Sequence, residues 1–457
     1  MQRHSAKAID MTTGSIMKLV VRFALPICVG NVLQQLYNTV DTLIVGNFCG
    51  STALAAVGTS AQPVEMMLCI FLGLGTGVSI LVSQCMGRGD MDRVKNVAAT
   101  ATSFLYSSGV LLSALGLVLG PLVLRVMQVP EDTFPMASSY IRVIFLGTLG
   151  NMGYNMNAGI LRGVGDSRAS LLFLLISCVV NIVLDYVFVA WFGMGVSGAA
   201  LATILAMFAS WMFSIVYIKK KYPQMRFTWL PKTLDRRILT DIVQVGLPLG
   251  LNNSIYSVGH ICMQSLINAQ GTAFIAACSV ATKVTGIANV TINSFSSAAT
   301  TFSGQNLGAE DYVRLKKGGL QIPLFSGLVS CLGGLAVTYF CRPLLGFFTD
   351  DMEVLELAVL YIRIVLPLTW AYSVFNGIVC FVNGIGEVRF PTVVNILMLW
   401  AVRIPTAYLI ARWIDGKYVM ASIPFSFVVG MLAMFTFFFT RKWKEICCLA
   451  AKQEAGR

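Results

Sequence analysis

Asp41, Glu65 and Asp185 each interrupt a long, mostly uncharged stretch of a chain that is otherwise 56% hydrophobic and 12% charged. A charge at the centre of a bilayer costs roughly 2.5–3.5 kcal/mol on insertion scales, so an acid there has to pair, hold a proton or bind an ion. Ser177, Asn181 and Asp185 recur at i, i+4, which puts the amide and the carboxylate on one helix face. Asn31, Gln34, Gln35, Asn38, Asp41 and Thr42 fall within an arc of roughly 120° at 3.6 residues per turn, a polar stripe that should face an internal cleft. Thr203 lies in GVSGAALAT, whose small residues allow close helix approach.

Oxygen atoms from Asp41, Asn181, Asp185 and Thr203 can therefore be grouped as a cation site. They could hold Na⁺. Alternatively the two carboxylates could share a proton, since like charges buried together resist ionising at once. The residue types do not choose between these ions. Gln34, Tyr37 and Asn38 on the same stripe, with Asn157 further along, are the candidates for a substrate cleft. The second half offers Lys283, His260 and Arg403 as its intramembrane ionisable groups. Each cation could pack, snorkel, touch substrate, or pair with Asp41 or Asp185 and merely fix the helices. Glu65 follows Gln62-Pro63 and reads as a cap on a helix break. Pro26, mid-span, removes a backbone hydrogen bond and marks a kink or hinge; Pro248 repeats it.

The elements that must position these groups are membrane helices. Soluble domains carry about 25% charged residues, twice the proportion found here. Apolar runs long enough to cross a hydrocarbon core recur near 17–45, 52–82, 94–120, 136–160, 169–192 and 197–218. A second set follows near 239–268, 273–303, 314–341, 357–382, 390–412 and 418–440. The fold class expected is an all-α polytopic membrane protein of about twelve transmembrane helices. The net charge of +12 sits in short loops, as in Arg88, Arg93, Lys95, Lys219, Lys220, Lys221, Arg314 and Lys316, while the alternate loops carry Glu131, Asp132, Asp350, Asp351 and Glu353. The basic residues thus report topology, with both termini cytoplasmic in a bacterial cytoplasmic membrane, and not a nucleic-acid partner. The polar segment before Thr13 argues for a retained first helix.

A shift of 221 residues superposes SQCMGRGDMDRVKN from Ser83 on GQNLGAEDYVRLKK from Gly304, YIRV from Tyr140 on YIRI from Tyr361, and LRGVGDSR from Leu161 on VNGIGEVR from Val382. The chain is thus two homologous six-helix lobes, 1–221 and 239–457, joined by a charged cytoplasmic linker, 222–238, and related by a pseudo-two-fold axis along the membrane normal. Under the same shift Asp185 meets Thr406, and with a slip of one or two residues at the first hairpin Asp41 meets Met263 or Gln264, so the second lobe lacks the acids. Twelve scattered cysteines lack CxxC pairs and His clusters, which argues against zinc or redox chemistry. No GxSxG or HExxH pattern suggests an enzyme, and no cofactor is implied beyond the coupling ion.

Pro26 with Asp41, VGTSAQP, GLGTGVSILVSQCMGRGD, LRGVGDSR, NIVLD and GVSGAALAT occur in an order that resembles the multidrug and toxic compound extrusion (MATE) transporters, over nearly all of residues 15–440. The resemblance implies a V-shaped pair of lobes that exports drugs or other organic cations in exchange for H⁺ or Na⁺, acting as a single chain. It also implies that Asp41, Asn181, Asp185 and Thr203 match the first-lobe cation site of the DinF-like bacterial branch, with Pro26 as the bending point of the first helix. The rival reading within the superfamily is a lipid-linked precursor flippase with a basic central cavity, to which Lys283 and Arg403 would belong.

Overall fold

Gly50 takes a left-handed backbone conformation (φ 83°), open cheaply to a residue without a Cβ, and so divides one helical stretch into α1 (Ile16–Gly50) and α2 (Thr52–Arg88). The computed structural model describes residues 8–127, 129–225, 227, 234–349 and 351–455, without the side chains of Ser51 and Gln62. Asp350 and part of the expected linker lie outside the described residues. The remaining helices are α3 (Met91–Val126), α4 (Phe134–Leu146, resumed as Thr148–Val164), α5 (Ser167–Asp185), α6 (Gly195–Lys221) and α7 (Arg236–Asn268). They continue with α8 (Thr272–Gly308), α9 (Tyr312–Tyr339), α10 (Met352–Gly384), α11 (Arg389–Trp413), α12 (Gly416–Phe439) and a final α13 (Arg441–Ala455). No strand occurs among the described residues.

Ten of these helices are long and apolar enough to cross a membrane. The two others among the twelve expected positions are α4, divided at Gly147 into pieces of 13 and 17 residues, and α7. The latter has the length, but Asn252, Asn253, His260 and Gln264 dilute its hydropathy. The protein is thus the all-helical polytopic membrane protein expected.

Pro26 and Pro248 do not break their helices: within α1 and α2 only Gly50 leaves helical φ/ψ, and α7 runs unbroken through Pro248. Two other helices carry π turns, Tyr186–Trp191 directly after Asp185 and Met398–Arg403 inside α11. Such one-residue insertions re-aim side chains and are often found at functional sites.

The chain forms two compact units, one containing Val29–Leu251 and the other Asp10–Cys28 with Asn252–Arg457. The start of α7 is therefore grouped with first-half helices. Its seat there is glycine on glycine: a Cβ on Gly73 would stand 2.2 Å from the backbone nitrogen of Gly250, and one on Gly77 would stand 2.9 Å from the Cα of Gly246. Small residues of this kind let helix backbones touch where no side chain could intervene. The start of α1 is held within the other unit by Met11, whose N–H donates to Gln305 Oε1 (2.9 Å) and whose carbonyl accepts from Asn306 (3.1 Å) and Arg314 (3.0 Å).

The internal repeat survives at the level of single bonds. Asp90 caps the N–H of Arg93 (2.9 Å) and its counterpart Asp311 caps that of Arg314 (3.0 Å). Asp166 binds Lys221 (2.6 Å) and Glu387 binds Lys442 (3.3 Å), pairs that the same shift relates.

Candidate functional site

Asn181 and Asp185 sit one turn apart on α5, and both are buried, Asp185 at 0% exposure. Asp41 comes from α1, half-buried, and its carboxyl group lies within hydrogen-bonding reach of Asp185, next to which Asn181 also stands. Thr203 on α6 completes the group: its hydroxyl accepts from Asn181 Nδ2 (3.5 Å) and donates to the carbonyl of Ala199 (3.0 Å). All four residues thus lie in the Val29–Leu251 unit.

Three helices deliver these side chains for reasons the residues supply. The i, i+4 spacing aligns Asn181 with Asp185. Gly198, Ala199, Ala200 and Ala202 let α6 approach closely, and Ser210 of α6 donates to the carbonyl of Phe173 on α5 (2.8 Å).

Both oxygens of Asp185, Oδ1 of Asp41 and Oδ1 of Asn181 are buried and no protein donor meets them in bonding geometry. No Lys or Arg forms an ion pair with either acid among the described residues. Arg403 is engaged within the other unit by Ser426 (2.9 Å) and Tyr256 (2.9 Å), and Lys283 lies over the ring of Phe348 (5.8 Å). Unpartnered carboxylate oxygens in low dielectric call for a positive species, because leaving them bare costs several kcal/mol or so each. The donor set is all oxygen, which suits a hard cation such as Na⁺ and serves a shared proton equally well.

The cleft candidates separate. Tyr37 lies beside Gln34 and interacts electrostatically with Asp41. Asn38 is exposed on the same helix and its carbonyl accepts from Thr42 (2.8 Å). Asn157 is buried and donates to Ser214 Oγ on α6 (2.8 Å). Tyr140 on α4, absent from the sequence reading of the site, interacts electrostatically with both Asp41 and Asp185. The only sequence signal for it was its place at the start of the repeated YIRV segment.

Helical bundles repeated within one chain, crossing a membrane and enclosing a pair of buried acids, are the build of a transporter. A MatE family model matches residues 26–187 and again 248–409, and the chain belongs to that family. It is 28% identical to the probable multidrug resistance protein YpnP of Bacillus subtilis over 96% of this chain and 98% of that one. It is 25% identical to the probable multidrug resistance protein NorM of Thermotoga maritima over 96% and 95%. A crystal structure of MATE in complex with MaL6 superposes with a TM-score of 0.87 at 25% identity, covering 97% of this chain and 99% of that one. The protein is accordingly a multi-pass membrane transporter of small molecules and not an enzyme.

Proposed function

We propose that the protein is a secondary active exporter of small organic, chiefly cationic compounds that exchanges them for H⁺ or Na⁺ by alternating access of two lobes, 1–221 and 239–457, joined by the linker 222–238. The observation that carries this reading is the Asp41–Asp185 pair, mutually adjacent, with Asp185 buried and Asp41 half-buried, and without a basic partner among the described residues. A cation bound there lowers the energy of whichever lobe shape brings the oxygens together. It can therefore drive substrate release only through unequal affinity for two conformations. Asp41, Asn181, Asp185 and Thr203 form the coupling site, Gln34, Tyr37 and Asn38 face the substrate, and Pro26 is the bending point of α1. The chain works as a single unit in the cytoplasmic membrane with both termini in the cytoplasm.

The flippase reading is favoured by one observation, the basic second-half cavity that Arg403 and Lys283 line. Everted vesicles separate the two: ethidium uptake driven by a pH or Na⁺ gradient supports export. Scrambling of a lipid-linked precursor with no response to either gradient would replace it.

A further inference from the structure

Arg403 is 3% exposed, deep in α11, at the last position of the π turn. Its Nε donates to Ser426 Oγ (2.9 Å) and its Nη1 to the hydroxyl of Tyr256 (2.9 Å), both neutral oxygens, while Nη2 is buried with no acceptor. The guanidinium lies over the rings of Phe427 (5.0 Å) and Tyr256 (5.8 Å), so its faces are covered by aromatic carbon while the Nη2 edge lacks a partner. It lines a cavity of about 750 Å³ inside the second unit, with Lys283, His260, Tyr256, Tyr372 and Phe427 on the wall. No Asp or Glu lines that cavity among the described residues.

A buried cation whose protein partners are all neutral retains its full charge, and leaving it uncompensated in a membrane is costly. The bidentate fork of arginine matches a carboxylate or phosphate. A volume within roughly 300–1,000 Å³ fits a drug-sized molecule. The aromatic wall, with Tyr256 against His260 (5.0 Å) and Tyr372 against Phe427 (4.5 Å), offers ring faces to a flat body.

We propose that this cavity is a second binding site, for an organic anion consisting of an aromatic body with one carboxylate or phosphate group, whose oxyanion is held by Arg403. The repeat sharpens the contrast. The counterpart span α5 buries Asp185, whereas α11 buries Arg403, which the 221-residue shift sets against Ile182 less than a turn from Asp185. The two halves thus place opposite charges at nearly one position of the fold, and only the first is suited to a cation.

The test is direct binding of radiolabelled 1-naphthoate to the full-length protein in lipid nanodiscs, with 1-naphthamide as the uncharged competitor. Saturable binding is expected, with the amide about tenfold weaker or worse, since a charged hydrogen bond is lost. Arg403→Gln should weaken naphthoate about tenfold or more and leave the amide unchanged. Should that variant fold poorly, Tyr256→Phe frees Nη1 without removing charge and should tighten naphthoate severalfold while leaving the amide less affected, because a second charged donor then reaches the carboxylate. No saturable naphthoate binding, equal affinity for acid and amide, or displacement only by a lipid-linked pyrophosphate overturns the proposal; the last assigns the cavity to a lipid headgroup. The site rests on the transport reading only for its purpose. Naphthoate binding in a preparation that does not exchange ethidium would uphold this site and remove antiport, and the reverse result would remove this site alone.

Discussion

The carboxyl groups of Asp41 on α1 and Asp185 on α5 come within hydrogen-bonding reach of each other, with Asp185 at 0% exposure and both of its oxygens lacking a protein donor. Two acids so placed repel unless something positive joins them, so the pair stores a tendency to separate when that species leaves.

Relieving this repulsion should stabilise the folded protein while disabling it. Asp185→Asn keeps the shape and removes one of two like charges, and relief of an uncompensated buried charge is neutral or stabilising. Thermal unfolding of purified Asp185→Asn should occur at or above the wild-type temperature. A marked fall would indicate that Asp185 is a structural anchor.

The repeat-related ion pairs should differ in worth. Asp166 is fully buried and also accepts from Tyr217 (2.9 Å) and Tyr222 (2.8 Å), whereas Lys442 and Glu387 keep 43% and 31% exposure. Lys221→Met strands a buried carboxylate and should cost about 3 kcal/mol, against less than about 1 kcal/mol for Lys442→Met. Denaturation midpoints of the two variants check the order.

The glycine crossing of α2 and α7 should tolerate no Cβ. Gly73→Ala meets the backbone of Gly250, which cannot rotate away, and overpacking of this kind costs about 1–3 kcal/mol. Gly75→Ala, two residues away with nothing within 4 Å of its Cβ, is the control and should be close to neutral. Equal melting temperatures for the two would show that the helices do not touch as described.

Hydropathy made the helices legible because membrane solvent imposes one simple rule on composition, and the failures of that rule are informative. The α7 helix carries too many amides to pass it, and α4 is interrupted at Gly147. Asn181 and Asp185 could be grouped because their spacing is local; the approach of Asp41 depends on packing between α1 and α5 and was an expectation only. The bond from Asn157 to Ser214 was not legible, because sequence does not reveal which side chain on another helix takes an amide hydrogen. Arg403 stood between packing and substrate until the structure showed that Nε and Nη1 have neutral partners and Nη2 has none. The π turns beside Asp185 and Arg403 left no trace in the residue pattern, since one extra residue per turn has no compositional signature.

Gradient-driven ethidium uptake into everted vesicles, run with wild type, Asp41→Asn and Asp185→Asn at matched folded amounts, bears most directly on the acid pair. Uptake in wild type under a proton or sodium gradient, and its collapse to the protein-free rate in each variant, is the predicted result. Full gradient-driven uptake in both variants would contradict the coupling role of the pair.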